Sequence, residues 1–451
     1  MARQKTKSIN PLLFPILFFG IAIMIGTGLL YLDGHDITLI DALFTATSAT
    51  CVTGLAVVDT GTSFSRFGQG VILFLIQIGG LGVMTLASLA LYLLRRKVSL
   101  TDRLAVGQSL LHDASFHLGR FMISLVFLAL FVECVGAYLL FCLLPGEMSI
   151  FSSFFHSVSA FCNAGFSLYP DSLMRWQDKW WVNIVFMGLI ILGGIGFSVQ
   201  IEVLQWLKSR FPGKKQRHYL RLSWYSRVVL STSLALIAGG AFVLFCTEFF
   251  SPGTHLPLST SILTSLFQSV TCRTAGFNTV DINNMTNISL LVMMVLMLVG
   301  GAPGSTAGGI KVTTLRVMIS FYHAHLVGRR QVVIGNIAAS RQTVNRALAL
   351  TLYTGLLVVG AVFLLDLAEG GGMAQTESRG LLLEIVFEVT SALGTAGLST
   401  GLTSTLSLAG KFIVIALMFI GRLGPLVFLT VLQEYKKEAL LARPEGDLLI
   451  G

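Results

Sequence analysis

Charge is scarce in this chain. Of its 451 residues only 12% are Asp, Glu, Lys or Arg, about half the share of an average soluble domain, so a water-soluble globular enzyme is nearly excluded. Proline is scarce too, with ten residues, and the 46 glycines follow no Gly-X-Y period, so a collagen-like or Pro/Gly-rich flexible chain is also out. Cysteine pairs are missing. Cys51, Cys134, Cys142, Cys162, Cys246 and Cys272 lie in apolar segments without CxxC spacing and read as small buried hydrophobes. The eight histidines form no ligand cluster; His323 and His325, near a helix end, read as interfacial rather than metal-binding. The absence of an intramembrane DDxxD pair and of a Ser/His/Asp set argues against a membrane enzyme.

Hydrocarbon is plentiful: 54% of residues are hydrophobic and the mean hydropathy is +0.79. A helix needs about 20 apolar residues to cross a bilayer. Eight segments qualify, at roughly 11–32, 69–94, 121–144, 180–201, 228–247, 282–310, 347–365 and 412–433. The first is too long for a signal peptide's apolar region and has no small-residue cleavage pattern after it. Of the 31 Lys and Arg, 23 fall in the N-terminus (Arg3, Lys5, Lys7) and in 95–120, 208–227, 316–346 and 436–443. These are alternate connections, so the positive-inside rule places them and both termini in the cytosol. The other connections hold most of the acid, including Asp33, Asp36, Asp41, Asp59, Glu147, Asp171, Glu248, Asp281, Asp366, Glu369 and Glu377. The net charge of +9 is therefore topological, and no nucleic acid is expected as a partner.

After spans one, three, five and seven the chain runs through a semi-apolar stretch too short to cross and long enough to re-enter. The four stretches are alike: LFTATSATCVTGL (43–55), FFHSVSAFCNAGFS (154–167), LFQSVTCRTAGFNT (266–279) and VFEVTSALGTAGLST (386–400). Each has a Phe followed 9 or 10 residues later by a glycine, and those glycines, Gly54, Gly165, Gly276 and Gly397, are spaced by 111, 111 and 121 residues. The following span carries GGLG (79–82), GGIG (193–196), GGAPG (300–304) and GRLGP (421–425). This is an internal fourfold repeat. It predicts an all-α polytopic membrane protein of four tandem helix–pore-helix–helix units around a pseudo-fourfold central pore, with eight transmembrane helices. The units run 11–97, 98–212, 213–335 and 336–438, between a cytosolic N-terminus (1–10) and a cytosolic tail (439–451).

A non-helical loop at membrane depth must be shielded from lipid or line a watery path. Four equivalent loops can meet both needs, with backbone carbonyls replacing a cation's water shell. Glycine suits the backbone angles this requires. The candidate filter residues are Val52, Thr53 and Gly54; Asn163, Ala164 and Gly165; Thr274, Ala275 and Gly276; and Thr395, Ala396 and Gly397. Only the glycine is common to all four.

The sixth span contains GGAPGSTAGG (300–309), which should break it into a loop opposite the third filter. Gly300, Gly301, Pro303, Gly304, Ser305, Thr306, Gly308, Gly309 and Lys311 form this candidate gate, with Lys311 anchoring to a carboxylate or carbonyl. The run grazes the nucleotide-binding P-loop pattern, but Ile310 intrudes before Lys311 and Val312 stands where Ser or Thr is required. Arg422 lies near the middle of the last span, where arginine costs about 2.5–3.5 kcal/mol on insertion scales. It reads either as a positive obstruction below the filter or as a structural arginine paired with carbonyls. Glu133, inside the third span, reads as a structural glutamate or as a proton or sodium ligand.

VTCRTAGFNT, GGAPGSTAGGIK and GRLGP, set in four tandem units over essentially the whole chain, resemble the Trk/Ktr/HKT potassium transporter superfamily. The eight spans and the end EGDLLIG are most similar to the membrane subunit of bacterial Ktr systems rather than to TrkH. The resemblance implies K+ uptake through a gated pore, with Na+ as activator and no organic cofactor in this chain. It also implies a homodimer in the bacterial inner membrane, regulated by a cytosolic KtrA-like ring that binds ATP or ADP. It carries the filter role to Gly54, Gly165, Gly276 and Gly397, the gate to 300–311, and the constriction to Arg422. Serine at the first filter glycine goes with sodium preference in plant relatives, so Gly54 fits a potassium-permeable member. Cys272 stands where alanine is usual, and Asn163 where the other three loops have Thr. A proton- or sodium-coupled secondary transporter of another solute is the competing class. Such transporters commonly carry inverted repeats, whereas these four units share one orientation.

Overall fold

The computed structural model describes residues 13–34, 37–95, 118–210, 221–251, 256–372, 374, 378 and 380–424. The basic N-terminus, most of the 95–120 connection, the tail and the end of the eighth segment lie outside the described residues.

Each unit begins with a long leading helix: Leu13–Asp33, Leu118–Leu143, Trp224–Phe249 and Arg341–Glu369. All four contain a stretch long and apolar enough to cross a membrane, and their outward faces are bare hydrocarbon, as at Met24, Phe131, Phe242 and Phe363. A helix with an exposed apolar face is solvated by lipid rather than water. Cys134 and Cys142 lie on such exposed faces, correcting the expectation that all six cysteines are buried; Cys51, Cys162 and Cys272 are buried.

The short helices follow, at Leu39–Thr50, Ile150–Phe161, Leu258–Thr271 and Leu381–Gly394. The first two start at hydroxyl caps: Thr38 accepts the Asp41 N–H at 3.2 Å and Ser149 accepts the Ser152 N–H at 3.1 Å. The repeated phenylalanines, Phe44, Phe155, Phe267 and Phe387, are completely buried and hold these helices in the core.

The trailing helices are of three kinds, with the break in the sixth span as expected and a bend in the fourth that the sequence does not announce. In the second unit the chain bends by 111° between Trp180–Gly194 and Phe197–Arg210. In the third it stops at Leu298 and resumes at Val312. The first runs Arg66–Arg95 and the fourth Leu408–Leu423. Among the described residues, four helices pass the length-and-hydropathy test for a span, or five with the bent pair counted as one.

The units close into a ring. Each short helix packs against its own leading helix. The trailing helices of units one, two and three pack against the short helix of the next unit, and that of unit four against the short helix of unit one. Lys411 Nζ donates to Asp41 Oδ1 at 2.7 Å, joining positions 370 residues apart across that last seam.

At the end of each leading helix a carboxylate clasps the start of the trailing helix. Asp33 accepts from Ser65, Glu147 from Lys179 and Trp176, Glu248 from Thr286, and Glu369 from Ser407. Glu147, bonded to Lys179 and Trp176, is held below the usual carboxylate range. Glu369→Gln should cost about 1–2 kcal/mol through loss of the charge-assisted bond from Ser407 Oγ. The readout is a lower melting temperature in detergent; an unchanged value would leave the clasp without a stabilising role.

Candidate functional site

The four glycine loops meet at the centre of the ring, where the fourfold pattern is carried by the backbone. Gly54, Gly165, Gly276 and Gly397 have φ of 96°, 71°, 82° and 79°. Two residues earlier, Val52, Asn163, Thr274 and Thr395 also have positive φ, at 56°, 59°, 69° and 51°. Positive φ strains non-glycine residues, most of all β-branched ones, by about 1–3 kcal/mol each. Burial maintains it here, since all four are at most 1% exposed. This register corrects the sequence comparison: Asn163 stands with Val52, Thr274 and Thr395, whereas Thr53 stands with Ala164, Ala275 and Ala396.

The N–H groups of Thr53, Ala164 and Ala396 turn back to the carbonyls of Ser48, Ser159 and Ser391, and that of Ala275 to Thr271. The loops then interlock in one direction. A Cβ added to Gly54 would lie 2.5 Å from Ala164 O, to Gly165 2.9 Å from Ala275 O, and to Gly276 3.1 Å from Ala396 O. At Gly397 it would collide with Thr53 O, which completes the cycle. Each glycine is therefore required by the carbonyl of the next loop as well as by its own torsion angle.

The second glycine set has an equally specific use. Methyl groups at Gly79, Gly193 and Gly421 would collide with the carbonyls of Thr50, Phe161 and Leu393 at the ends of the short helices. The same trailing-helix turns receive the strained side chains: Val52 faces Gly79, the Asn163 carboxamide faces Gly194, Thr274 faces Gly300 and Thr395 faces Gly421.

Residues 300–311 form a loop whose backbone is knitted into its surroundings. Gly300 N–H donates to Ile310 O at 2.9 Å, and Ile310 N–H to Leu298 O at 3.0 Å, which pinches the two ends of the broken helix together. Ala302 N–H donates to Gly194 O at 2.9 Å, Thr306 N–H to Gly193 O and Phe197 N–H to Gly304 O, both at 3.3 Å. The two interrupted helices thus satisfy one another's freed backbone groups, which is the condition for breaking a helix inside a membrane. The loop is not confined to the third filter loop, as expected from sequence. Gly300 packs on Thr274, Thr306 Oγ1 donates to Phe161 O at 3.4 Å, and Gly308 lies against Thr395 and Gly394.

Three cations brace this layer. Arg422 is 4% exposed; it donates through one nitrogen to Gly79 O at 2.6 Å and through another to Thr306 O. This is the carbonyl pairing that one of its two sequence readings expects, and one of the two carbonyls belongs to the 300–311 loop. Lys311 Nζ donates to Ala307 O at 2.5 Å and Gly308 O at 3.3 Å, anchoring the loop to its own carbonyls. Arg273, which the sequence reading left unassigned, donates to Ser233 O at 3.3 Å and Gly300 O at 3.4 Å. Its position inside the third glycine-loop stretch, VTCRTAGFNT, is its only sequence signal. Pro303 and Gly304 form the turn, Ser305 is buried, and Gly309 at φ 63° lies against Leu298 O.

Glu133 is buried and accepts from Gln77 Nε2 at 2.7 Å, with Cys162 Sγ 3.8 Å from its other oxygen. Among the described residues no group of three or more His, Cys, Asp or Glu could hold a metal ion.

A predominantly helical ring with lipid-facing leading helices and broken helices meeting in its interior is the architecture of a membrane-embedded transport protein. The chain belongs to the TrkH cation transport protein family, whose sequence profile matches residues 5–437. It is 38% identical to "Ktr system potassium uptake protein B" of Bacillus subtilis over the full length of both chains. It is 36% identical to the protein of the same name in Vibrio alginolyticus, covering all of this chain and 96% of that one. It is 35% identical to "Potassium/sodium uptake protein NtpJ" of Enterococcus hirae, covering 100% and 99% of the two chains. The fold is similar to that of the potassium transporter TrkH from Vibrio parahaemolyticus, with a TM-score of 0.73, 20% identity, and coverage of 96% of this chain and 86% of that one.

Proposed function

We propose that this chain takes up K+ through a gated pore formed by its four glycine loops. The observation that carries this reading is the one-way cycle in which each loop glycine abuts the carbonyl of the next loop's preceding residue. Carbonyls of Thr53, Ala164, Ala275 and Ala396 are then the natural replacement for a cation's hydration shell. In this reading K+ is cargo rather than cofactor. Val52, Asn163, Thr274 and Thr395 set the loop torsions, and Gly54, Gly165, Gly276 and Gly397 permit the close approach.

Residues 300–311 act as the gate beneath the filter, with Arg422, Lys311 and Arg273 holding the closed arrangement. The trailing helices complete eight membrane passes, two of them interrupted, and both termini lie in the cytosol of a bacterial inner membrane. Relatives named as parts of a Ktr system support a partner regulatory subunit, and the reading extends this to a homodimer on a cytosolic nucleotide-binding ring, with Na+ as activator. The exposed basic turn at Arg329 and Arg330 leads into a hairpin, Val333–Ile334 with Ile337–Ala338, whose Val333 and Ile337 are exposed and suit that contact.

Expression in a K+ transport-deficient bacterium, with and without a co-expressed regulatory subunit, tests the reading. Growth on limiting K+ should be restored and should respond to the subunit. A folded, membrane-inserted chain that moves no K+ in either case would overturn it.

A further inference from the structure

A pocket of about 330 Å³ lies between the third unit's leading helix, its short helix and the segment following its glycine loop, with Met174 and Gln177 of the second unit closing one side. It is lined by Glu248, Thr264, Ser265, Gln268, Thr279 and Asp281 among others, and among the described residues no Lys, Arg or His lines it. Gln268 and Thr279 are each 1% exposed. Both atoms of the Gln268 carboxamide and the Thr279 hydroxyl have no hydrogen-bond partner. Leaving buried polar groups unmade costs about 1–3 kcal/mol each, so three such atoms beside one pocket call for an explanation.

Comparison among the repeats supplies one. The residue after the core phenylalanine is Thr45, His156, Gln268 and Glu388 in the four short helices. In two units it braces the loop from behind. His156 Nε2 is 3.1 Å from Ser167 Oγ, two residues beyond Gly165. Glu388 accepts from Ser399 Oγ, two residues beyond Gly397, and from Thr403 Oγ1 at 2.8 Å. In the third unit the corresponding Asn278 turns away and donates to Val280 O at 3.1 Å. Gln268 therefore has no protein brace, and the pocket lies where one would be.

We propose that this pocket is a second cation site, in which a monovalent alkali cation braces the third glycine loop from behind. Its donors are hard oxygens: the Gln268 carbonyl, the hydroxyls of Thr279, Thr264 and Ser265, and the carboxylates of Glu248 and Asp281 at its edge. Both carboxylates already accept protein hydrogen bonds, Glu248 from Thr286 and Asp281 from Asn283 and Asn284. Two engaged carboxylates supply field enough for a partly hydrated monovalent ion. The other four donors are neutral oxygens, which suits a weakly held monovalent ion better than Ca2+. The volume leaves room for several waters at about 30 Å³ each. The site stands on the geometry of the pocket and does not rest on the filter reading.

The full-length chain crystallised with Tl+ replacing K+ provides the test, because Tl+ is a monovalent cation visible by anomalous scattering. A peak is expected against Gln268 and Thr279 in the wild type, and it should be lost in Gln268→Leu and in the isosteric Thr279→Val. Peaks at the Thr53, Ala164, Ala275 and Ala396 carbonyls report the filter separately and should survive both substitutions. A wild-type pocket without a peak, or a peak unchanged by both substitutions, would overturn the second site whatever the filter shows. Absence of the filter peaks alone would sink the filter reading and leave the pocket result standing.

Discussion

Gly397→Ala should abolish most of the preference for K+ over Na+ while leaving a folded protein. The new methyl would collide with Thr53 O and also crowd the backbone of Gly276 and Gly54, 3.1 Å from each Cα. All three neighbours are main chain, so none can swing aside as a side-chain tip could. The φ of 79° adds strain, costing about 1–2 kcal/mol for a residue with a Cβ. The cheapest relief is to push the fourth and first loops apart, which widens any ring formed by the carbonyls. A distortion worth about 1.4 kcal/mol in the difference between the two ions is tenfold in preference, and the loss should be at least about that. Gly276→Ser should act in the same direction and more mildly, because its nearest neighbours are 2.8 to 3.3 Å away. Gly401→Ala is the control: its φ is 104°, but nothing lies within 4 Å of the added carbon. It shares the torsional strain without the collision, so it should lower stability and spare selectivity. Ion preference measured in proteoliposomes separates these cases, and equal behaviour of Gly397→Ala and Gly401→Ala would remove the filter assignment.

Replacing Arg422 by Ala should raise K+ flux in the absence of any regulatory subunit. Arg422 joins Gly79 in the first unit to Thr306 in the 300–311 loop. Hydrogen bonds from a charged group contribute about 1.5–3 kcal/mol each. Losing two, with half recovered by water, shifts an opening equilibrium by roughly 10- to 150-fold. Arg422→Lys retains the charge but not the rigid fork that spans two carbonyls, so it should give an intermediate flux. Shortening 303–309 should raise flux by the same route. Flux that falls in Arg422→Ala, with the melting temperature maintained, would assign the arginine a purely structural role.

Much of this architecture was legible because the repeat is written in residue types that have few alternatives. Gly54, Gly165, Gly276 and Gly397 stand out at near-constant spacing, and the phenylalanines ahead of them mark the buried faces of the short helices. The break at 300–311 was legible because ten small or helix-breaking residues cannot continue a span. Other features had no comparable signal. GGIG at 193–196 looked like the GGLG at 79–82, yet the second unit bends by 111° there while the first unit's helix continues. The bend depends on Gly193, Gly194 and Phe197 finding partners in residues 302–306, more than 100 positions away. Positive φ at Val52, Thr274 and Thr395 runs against the preference of β-branched residues, so local pattern argued against it. The four carboxylate clasps read only as acid in external connections until the trailing-helix caps were brought beside them.

By itself the sequence determined the solvent, the repeat and the positions of the glycines, because hydropathy and glycine torsional freedom are properties of single residues and short windows. Only the tertiary structure decided that the loops close head to tail, that two interrupted helices satisfy each other, and which carbonyls Arg422 joins. Those outcomes depend on backbone groups, which every residue carries alike, and their pairing is set by where the packed units bring them.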